Sequence, residues 1–347
     1  MSPERKVTVT REELREMYWG QRKSLARIAR LYGVIHQSVR YWMIKHGIPR
    51  RNRYDATIKY PRTPFSGDRY ERAYLLGLRA GDIHARRRAT NTIGVNVSTT
   101  SPAMIKLMED TFGRYGRVNK YPAKGPLVYE WYIYCDLDTS FDFLIEKPTG
   151  VPDWGDFYAF LAGYVDSEGT ITFDYTGSLR PNFWIKSQDV ELLGKIRWKL
   201  KNDGFHPSNL HLRTKSGTWT SRISRLNGAS ISIQNTRDYY QLSLHRRSEI
   251  AKLVKKLIQF SRHGEKVERM RLALKTTEKQ LTEEEARNFI QNANREKEEC
   301  IKAAEVMYTQ KHCGAILPRE DVATQLERSK TCARPRGGEC CYTNRTG

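Results

Sequence analysis

The chain has no run of 18 or more apolar residues, which predicts no membrane-spanning helix. It also lacks an apolar leader. Met1-Ser2-Pro3-Glu4-Arg5-Lys6 runs directly into charged residues, so no signal peptide is expected. Cysteine is nearly missing from the body of the chain: of six cysteines, only Cys135 precedes Cys300. That excludes a secreted disulfide framework and points to a reducing, cytoplasmic setting. There is no C-x-x-C pair. His312, Cys313, Cys332, Cys340 and Cys341 therefore read as part of a mobile tail rather than a zinc site. Acidic residues are scarce, with 39 Asp and Glu against 60 Lys and Arg, a formal charge of +21. Such an excess opposes compaction unless a polyanion neutralises it, and nucleic acid is the usual polyanion. The alternative is a generally basic soluble protein. At 347 residues and 39% hydrophobic content, the chain has room for two or three domains with real cores.

What is present is a motif written twice. Leu161-Ala162-Gly163-Tyr164-Val165-Asp166-Ser167-Glu168-Gly169 is an apolar, small-residue run that ends in carboxylates. A looser copy, Leu75-Leu76-Gly77-Leu78-Arg79-Ala80-Gly81-Asp82-Ile83, lies upstream. Aligning Gly77 with Gly163 places Asp82 opposite Glu168. Gly77 and Gly81 are four apart, on one helical face; Ala162, Gly163 and Ser167 give the second copy a matching small face. Small faces let helix backbones touch. Two such helices in parallel would bring Asp82 and Glu168 together at their C-termini, the wrong pole for anions. A divalent cation with oxygen ligands, magnesium above all, offsets that repulsion. One carboxylate from each half, with phosphate oxygens and water, is an arrangement suited to phosphodiester hydrolysis.

The rest of the chain reads as support for this pair. Residues 1–55 form a small all-helical module: a capping box at Thr10, a helix over Ser24–Tyr32, a turn at Gly33 and a third helix over about His36–His46. This stretch resembles the short helix-turn-helix units of DNA-binding proteins. The third helix would turn His36, Gln37, Arg40 and Tyr41 toward a major groove, and Arg50, Arg51 and Arg53 form a basic arm for phosphates. Residues 56–67 read as a linker. Residues 68–150 follow the order helix, hairpin, helix, hairpin, helix, with alternation over Thr92–Ser98 and a closing helix over about Leu137–Glu146. Residues 151–276 repeat that order. There Leu210 and Leu212 are expected inward on a strand, and residues 216–235 form an inserted or extended hairpin. Residues 277–347 are a charged helix and the cysteine-containing tail.

Residues 68 to about 275 resemble the LAGLIDADG homing endonucleases in their single-chain, two-repeat form, on the two motifs quoted above. The resemblance implies an α+β fold of two pseudo-symmetric αββαββα halves whose strands form a DNA-binding saddle. It implies that Asp82 and Glu168 bind catalytic Mg2+, that Asp166 is structural, and that both strands of double-stranded DNA are cut. Lys147 and Lys266 sit where the family's active-site lysines could be; Thr99 and Ser187 occupy the approximate places of its glutamine. Ile83 stands where glycine usually follows the acid. Outward strand positions expected to read DNA are Arg86, Arg88, Asn96 and Ser98 in the first half. In the second they are Thr172, Asp174, Lys186, His211 and Arg213. Because the halves differ, the target should be asymmetric or only partly palindromic, and the protein a monomer.

Three functions remain open on the sequence. The first is a magnesium-dependent, site-specific endonuclease, carried by a mobile intron or free-standing. The second is a maturase acting on its host intron RNA. The third is a DNA-binding regulator that has lost cleavage.

Overall fold

The computed structural model describes residues 9–51, 60–123, 129–175, 178–223, 230–278 and 281–313. The chain divides into two units, 1–61 and 62–347. Arg53, the loop Lys124-Gly125-Pro126, Cys332, Cys340 and Cys341 lie outside the described residues.

In the first unit, α1 (Arg11–Arg15) opens on Thr10, whose hydroxyl accepts from Glu13 N, and widens into a π turn over Glu16–Gly20. Ser24 caps α2 (Leu25–Tyr32) in the same way. Gly33 then takes φ 64°, a left-handed conformation that glycine tolerates, and leads to α3 (His36–Lys45). Leu14, Ile28, Val39 and Met43 form the centre of a small core.

In the second unit, Asp68 caps α4 (Arg69–Ala80) by accepting from Glu71 N. There follow β1 (His84–Ala89), β2 (Thr92–Thr99), α5 (Pro102–Phe112), β3 (Val118–Pro122) and β4 (Trp131–Leu137). Then come a 3-10 turn over Thr139–Leu144, α6 (Trp154–Glu168), β5 (Gly169–Tyr175), β6 (Leu179–Ser187) and α7 (Val190–Asn202). The chain continues through β7 (His211–Thr214), β8 (Trp219–Ile223), β9 (Ser230–Gln234) and β10 (Tyr239–Leu244). It ends with α8 (Arg247–Leu257), α9 (Gly264–Glu278) and α10 (Glu283–Cys313). The two large antiparallel sheets have the orders β1-β2-β4-β3 and β5-β6-β10-β7. These are one topology used twice, and the α+β, two-repeat fold expected from the sequence is observed.

Alternation decides which face of each sheet is buried. Ile93, Val95 and Val97 of β2, with Trp131, Ile133 and Cys135 of β4, point into the core against Met104, Met108 and Phe112 of α5. In β6, Phe183 and Ile185 are buried, while Asn182, Trp184 and Lys186 alternate with them.

The repeats meet along α4 and α6. A methyl group on Gly77 would overlap the Phe160 carbonyl oxygen and stand 2.8 Å from Tyr164 N. One on Gly163 would overlap the Tyr74 carbonyl oxygen and stand 2.9 Å from Leu78 N. Gly81 rests against the Ser167 side chain. The paired positions advance together along both helices, so the helices are parallel and touch backbone to backbone.

Three sequence expectations are corrected. The stretch 137–146 is not a regular helix. Leu137 ends β4, Asp138 caps Ser140 N, and a six-residue 3-10 turn seats Phe141 and Leu144 in the core. Leu212 is 49% exposed, not inward, because β7 is the edge strand of its sheet and its pairing with β10 shifts between Tyr239 and Tyr240. Part of the stretch 56–67 is docked rather than free. Phe65 packs on Tyr115, Phe141 and Phe143, and Thr63 N donates to Tyr115 O.

Gly77→Ala and Gly163→Ala should each destabilise the protein by at least ~2 kcal/mol, since rigid backbone meets the added methyl. Gly194→Ala is the control. It lies within α7 with nothing within 4 Å of a Cβ, and should stabilise by up to ~1 kcal/mol. Urea melts of the three variants check this.

Candidate active site

The parallel register places the ends of α4 and α6 side by side. A methyl group on Gly81 would lie 3.3 Å from Cγ of Glu168, so Asp82, the next residue, sits beside that carboxylate. Asp82 is open to solvent on one side and Glu168 half-buried, with protein packed around the rest of each. Lost hydration raises the Asp82 carboxyl, against the pull of Lys266 and His84. Glu168 is pushed up to about 7, first by burial and then by the Asp82 charge, while Lys266 and Lys147 pull the other way. Neither carboxylate has a hydrogen-bond or ion-pair partner among the described residues.

Lys266 explains how two acids survive at helix C-termini. Its ammonium donates to the carbonyls of Val165, Asp166 and Ser167 at 2.8, 2.6 and 2.9 Å. All three of its protons are thus spent on the last turn of α6. Lys266 is a positioning residue for Glu168, with no proton left to offer a substrate in this arrangement. Burial pushes its pKa down, against Asp166, Asp82 and Glu168. Lys147 is different. Its side chain is half-exposed, 4.0 Å from Asp189, and its charge reaches Glu168.

Asp166 is fully buried and holds the frame. Its carboxylate accepts from Tyr74 Oη at 2.7 Å, across the repeat boundary. It also accepts from Arg262 N at 2.7 Å, His263 N at 3.1 Å and the Ser261 hydroxyl. Arg262 then stacks 4.6 Å over the Tyr74 ring and pairs with Glu71. Ile83 is buried in the first repeat, its N–H bonded to Leu78 O and its carbonyl to Arg79. Arg79 also donates to Leu144 O and Ile145 O, which ties this turn to the 3-10 segment. Ala162 is fully buried, one residue off the Phe160, Gly163, Tyr164, Ser167 stripe that meets α4. Thr99 and Ser187 hydroxyls are both engaged locally, accepting from Ser101 N and Asp189 N.

The donor set fits a hard divalent cation: two carboxylates, no sulfur, at the negative ends of two helices. No group of three or more His, Cys, Asp or Glu residues able to hold a metal ion occurs among the described residues. A cation here would complete its shell with water and substrate oxygens.

The open sheet faces carry the expected reading positions. In the first sheet, register aligns His84 with Asn96 and Tyr134, and Ser98 with Tyr132. His84, Arg86, Asn96 and Tyr132 line an open pocket. Arg88 is partly committed: it pairs with Asp136 at 2.9 Å and lies 5.4 Å over Tyr134. In the second sheet, Lys186, Gln241 and His211 align on one face. Lys186 lies 5.0 Å over Tyr239. Asp174 accepts from Asn182 at 2.7 Å, and Thr172 pairs with Asn182 across the strands. Arg213 sits exposed where the β7 pairing shifts. Sequence reasoning missed Tyr121, Tyr132 and Tyr134, which cluster at 5.3–6.1 Å on the first face, and Trp184 on the second. The period-2 alternation in β4 and β6 marks them.

In the N-terminal unit, His36, Gln37, Arg40 and Tyr41 are all exposed on α3, and Ile44 extends their face. Arg50 is exposed. Arg51 corrects its assignment to the basic arm. It donates to the carbonyls of Arg22 and Lys23 at 3.2 and 2.8 Å and stacks 4.3 Å over Tyr18, which fixes the turn after Gly20.

Among solved structures, the LAGLIDADG meganuclease I-AabMI bound to uncleaved DNA aligns with this chain at 11% identity and a TM-score of 0.38. The alignment covers 63% of this chain and 96% of that one. The LAGLIDADG meganuclease I-CpaMI, also bound to uncleaved DNA, aligns at 8% identity and 0.37, over 66% and 97%. The homing endonuclease I-WcaI bound to its DNA recognition sequence aligns at 14% identity and 0.35, over 58% and 86%. No protein-family model and no curated protein matches the chain. At these scores the likeness is loose, and the two-repeat architecture stands on the chain's own sheet order and helix contact.

A carboxyl raised by folding binds its proton more tightly in the native state, so ionising it costs stability. Between the ordinary glutamate value of 4.5 and about 7, the metal-free protein should lose stability as pH rises. Glu168→Gln should therefore melt above the parent at pH 8 in chelator, with the gap closing below about pH 4.5. Thermal melts across that range check the sign.

Proposed function

We propose that this protein is a divalent-metal-dependent endonuclease that cuts both strands of double-stranded DNA at a specific, asymmetric site. One observation carries the reading: each repeat contributes one carboxylate, Asp82 or Glu168, to a single point held by a backbone-tight helix pair. A Mg2+ ion held by these acids would supply positive charge to the scissile phosphates and lower the pKa of water beside them. Asp82 and Glu168, both raised in pKa, are poised to ionise when that charge arrives. Lys266 keeps the end of α6, and so Glu168, in place. Lys147, half-exposed near Glu168 and 4.0 Å from Asp189, would turn its ammonium to a phosphate oxygen.

The two open sheet faces supply the reading surface. Asn96 and Arg86 in the first repeat, and Lys186, Gln241 and His211 in the second, are donors suited to base edges in a major groove. The faces differ residue by residue, which suits an asymmetric target read by a monomer. The N-terminal unit adds a second contact, with Gln37, Arg40 and Tyr41 of α3 toward DNA in helix-turn-helix manner. Homing of a mobile intron is the matching biological role. RNA of a host intron is the partner in the second reading, favoured by the Tyr121, Tyr132 and Tyr134 cluster, which could stack unpaired bases.

Asp82→Asn and Glu168→Gln should each retain DNA binding and lose at least ~100-fold in cleavage rate with Mg2+. Cleavage of a plasmid carrying fused intron flanks, scored beside a gel-shift on the same duplex, measures both. Parental rates in both variants would remove the metal assignment; a parent that splices its intron RNA but cuts no DNA would favour the second reading.

A further inference from the structure

The two repeats share a sheet order but not a perimeter. In the first, residues 123–130 suffice to join β3 to β4. In the second, the equivalent strands β7 and β10 are joined by residues 215–238, three times as many. That segment builds its own ribbon from β8 and β9, which pair with each other and with neither large sheet. Its base is constructed. Ser216 N and Oγ donate to Asp238 and to Thr236 O at 2.7 and 3.1 Å. Asn235 Nδ2 donates to Thr218 O and Thr220 Oγ1, each at 2.9 Å, and Gly217 turns at φ 85°.

An isolated two-stranded ribbon is marginal in water. This one contributes nothing to the hydrophobic core among the described residues, and Trp219 is 67% and Ile233 44% exposed. Its composition identifies what covers it. Its described residues, 215–223 and 230–238, hold Lys215, Arg222 and Arg237 against Asp238 alone, with serine and threonine between them. A basic, hydroxyl-rich ribbon with one protruding indole matches a phosphate backbone and not an apolar protein face. It also continues β7, whose His211 lies in register with Gln241 and Lys186 on the open sheet face.

The geometry points to an arm that grips double-stranded DNA beyond the part covered by the second sheet, lengthening the footprint on that side only. This rests on the reading of the open sheet faces as a DNA surface. Five-residue strands at about 3.3 Å per residue reach ~17 Å, or roughly five base pairs at ~3.4 Å each.

The test uses the full chain and a duplex recovered from a randomised pool by the parent, with hydroxyl-radical footprinting and binding titrated against salt. Two variants are compared: Lys215→Ala with Trp219→Ala, and replacement of residues 217–235 by a two-residue turn. The point variant, which touches only exposed side chains, should bind about tenfold more weakly, with a salt slope lower by about one. The replacement should shorten protection by roughly five base pairs on one side and leave the cut position unchanged. Unchanged affinity, slope and footprint in both variants would overturn the arm while leaving the DNA reading intact. A parent that recovers no duplex from the pool would overturn both. Self-association of the parent that is lost in the point variant would assign the ribbon to a second copy of this chain and overturn the proposal.

Discussion

The structure depends on one contact, the meeting of two helix backbones at Gly77 and Gly163. No other residue type fits there, because the atoms across the interface are carbonyl oxygens and amide nitrogens that cannot move aside. A leucine-lined interface holds helix axes about 8–10 Å apart; the glycine contact brings the two C-termini near enough for Asp82 and Glu168 to feel one another. The cost is electrostatic, since two acids share the negative ends of two helices. The protein offsets part of it internally, by committing Lys266 to the carbonyls of Val165, Asp166 and Ser167. It leaves the rest open to a cation.

Around this axis the repeats have diverged where the constraint is weakest. The first closes on a short 3-10 turn packed by Phe65, the second on a regular helix. The first gains support from α10, whose Tyr308 is fully buried against Trp131 and Tyr129 and whose Lys311 donates to Lys120 O. That helix also reaches the second repeat, through Lys297 and Glu265. Asp166 and Tyr74 form a second bond across the repeat boundary. The halves are thus locked together at the helix pair and free to differ at the sheet edges.

Much of this was legible in the sequence, for physical reasons. Alternation in β2 revealed its buried face because Ile93, Val95 and Val97 have only one core to enter. The small residues of the two motifs revealed the helix pair because they recur at matching places in both copies, and small residues four apart share the one helical face on which another backbone can rest. Other features escaped because they depend on what packs from far away. The apolar residues of 137–146 have a spacing that a helix and a 3-10 turn both satisfy. Leu212 reads as inward by alternation, but an edge strand with shifted pairing has less core to bury it against. In Arg50-Arg51-Asn52-Arg53 the basic residues look equivalent, yet Arg51 is consumed by two carbonyls and a tyrosine ring. Lys266 was marked in the sequence only by its resemblance to an active-site lysine; its commitment to the carbonyls of Val165, Asp166 and Ser167 depends on the fold that brings it to the end of α6. The burial of α10 was available in the spacing of Ile301, Ala304 and Tyr308, beneath a strongly charged composition.

The central claim is that the helix pair exists to hold a divalent cation between Asp82 and Glu168. Its most direct test is Mn2+ binding by the full chain at pH 8, followed by electron paramagnetic resonance with and without bound duplex. The account predicts that Mn2+ loses its free signal on the parent, more strongly with DNA present, and keeps it on a chain carrying both Asp82→Asn and Glu168→Gln. Equal Mn2+ binding by parent and double variant would contradict it.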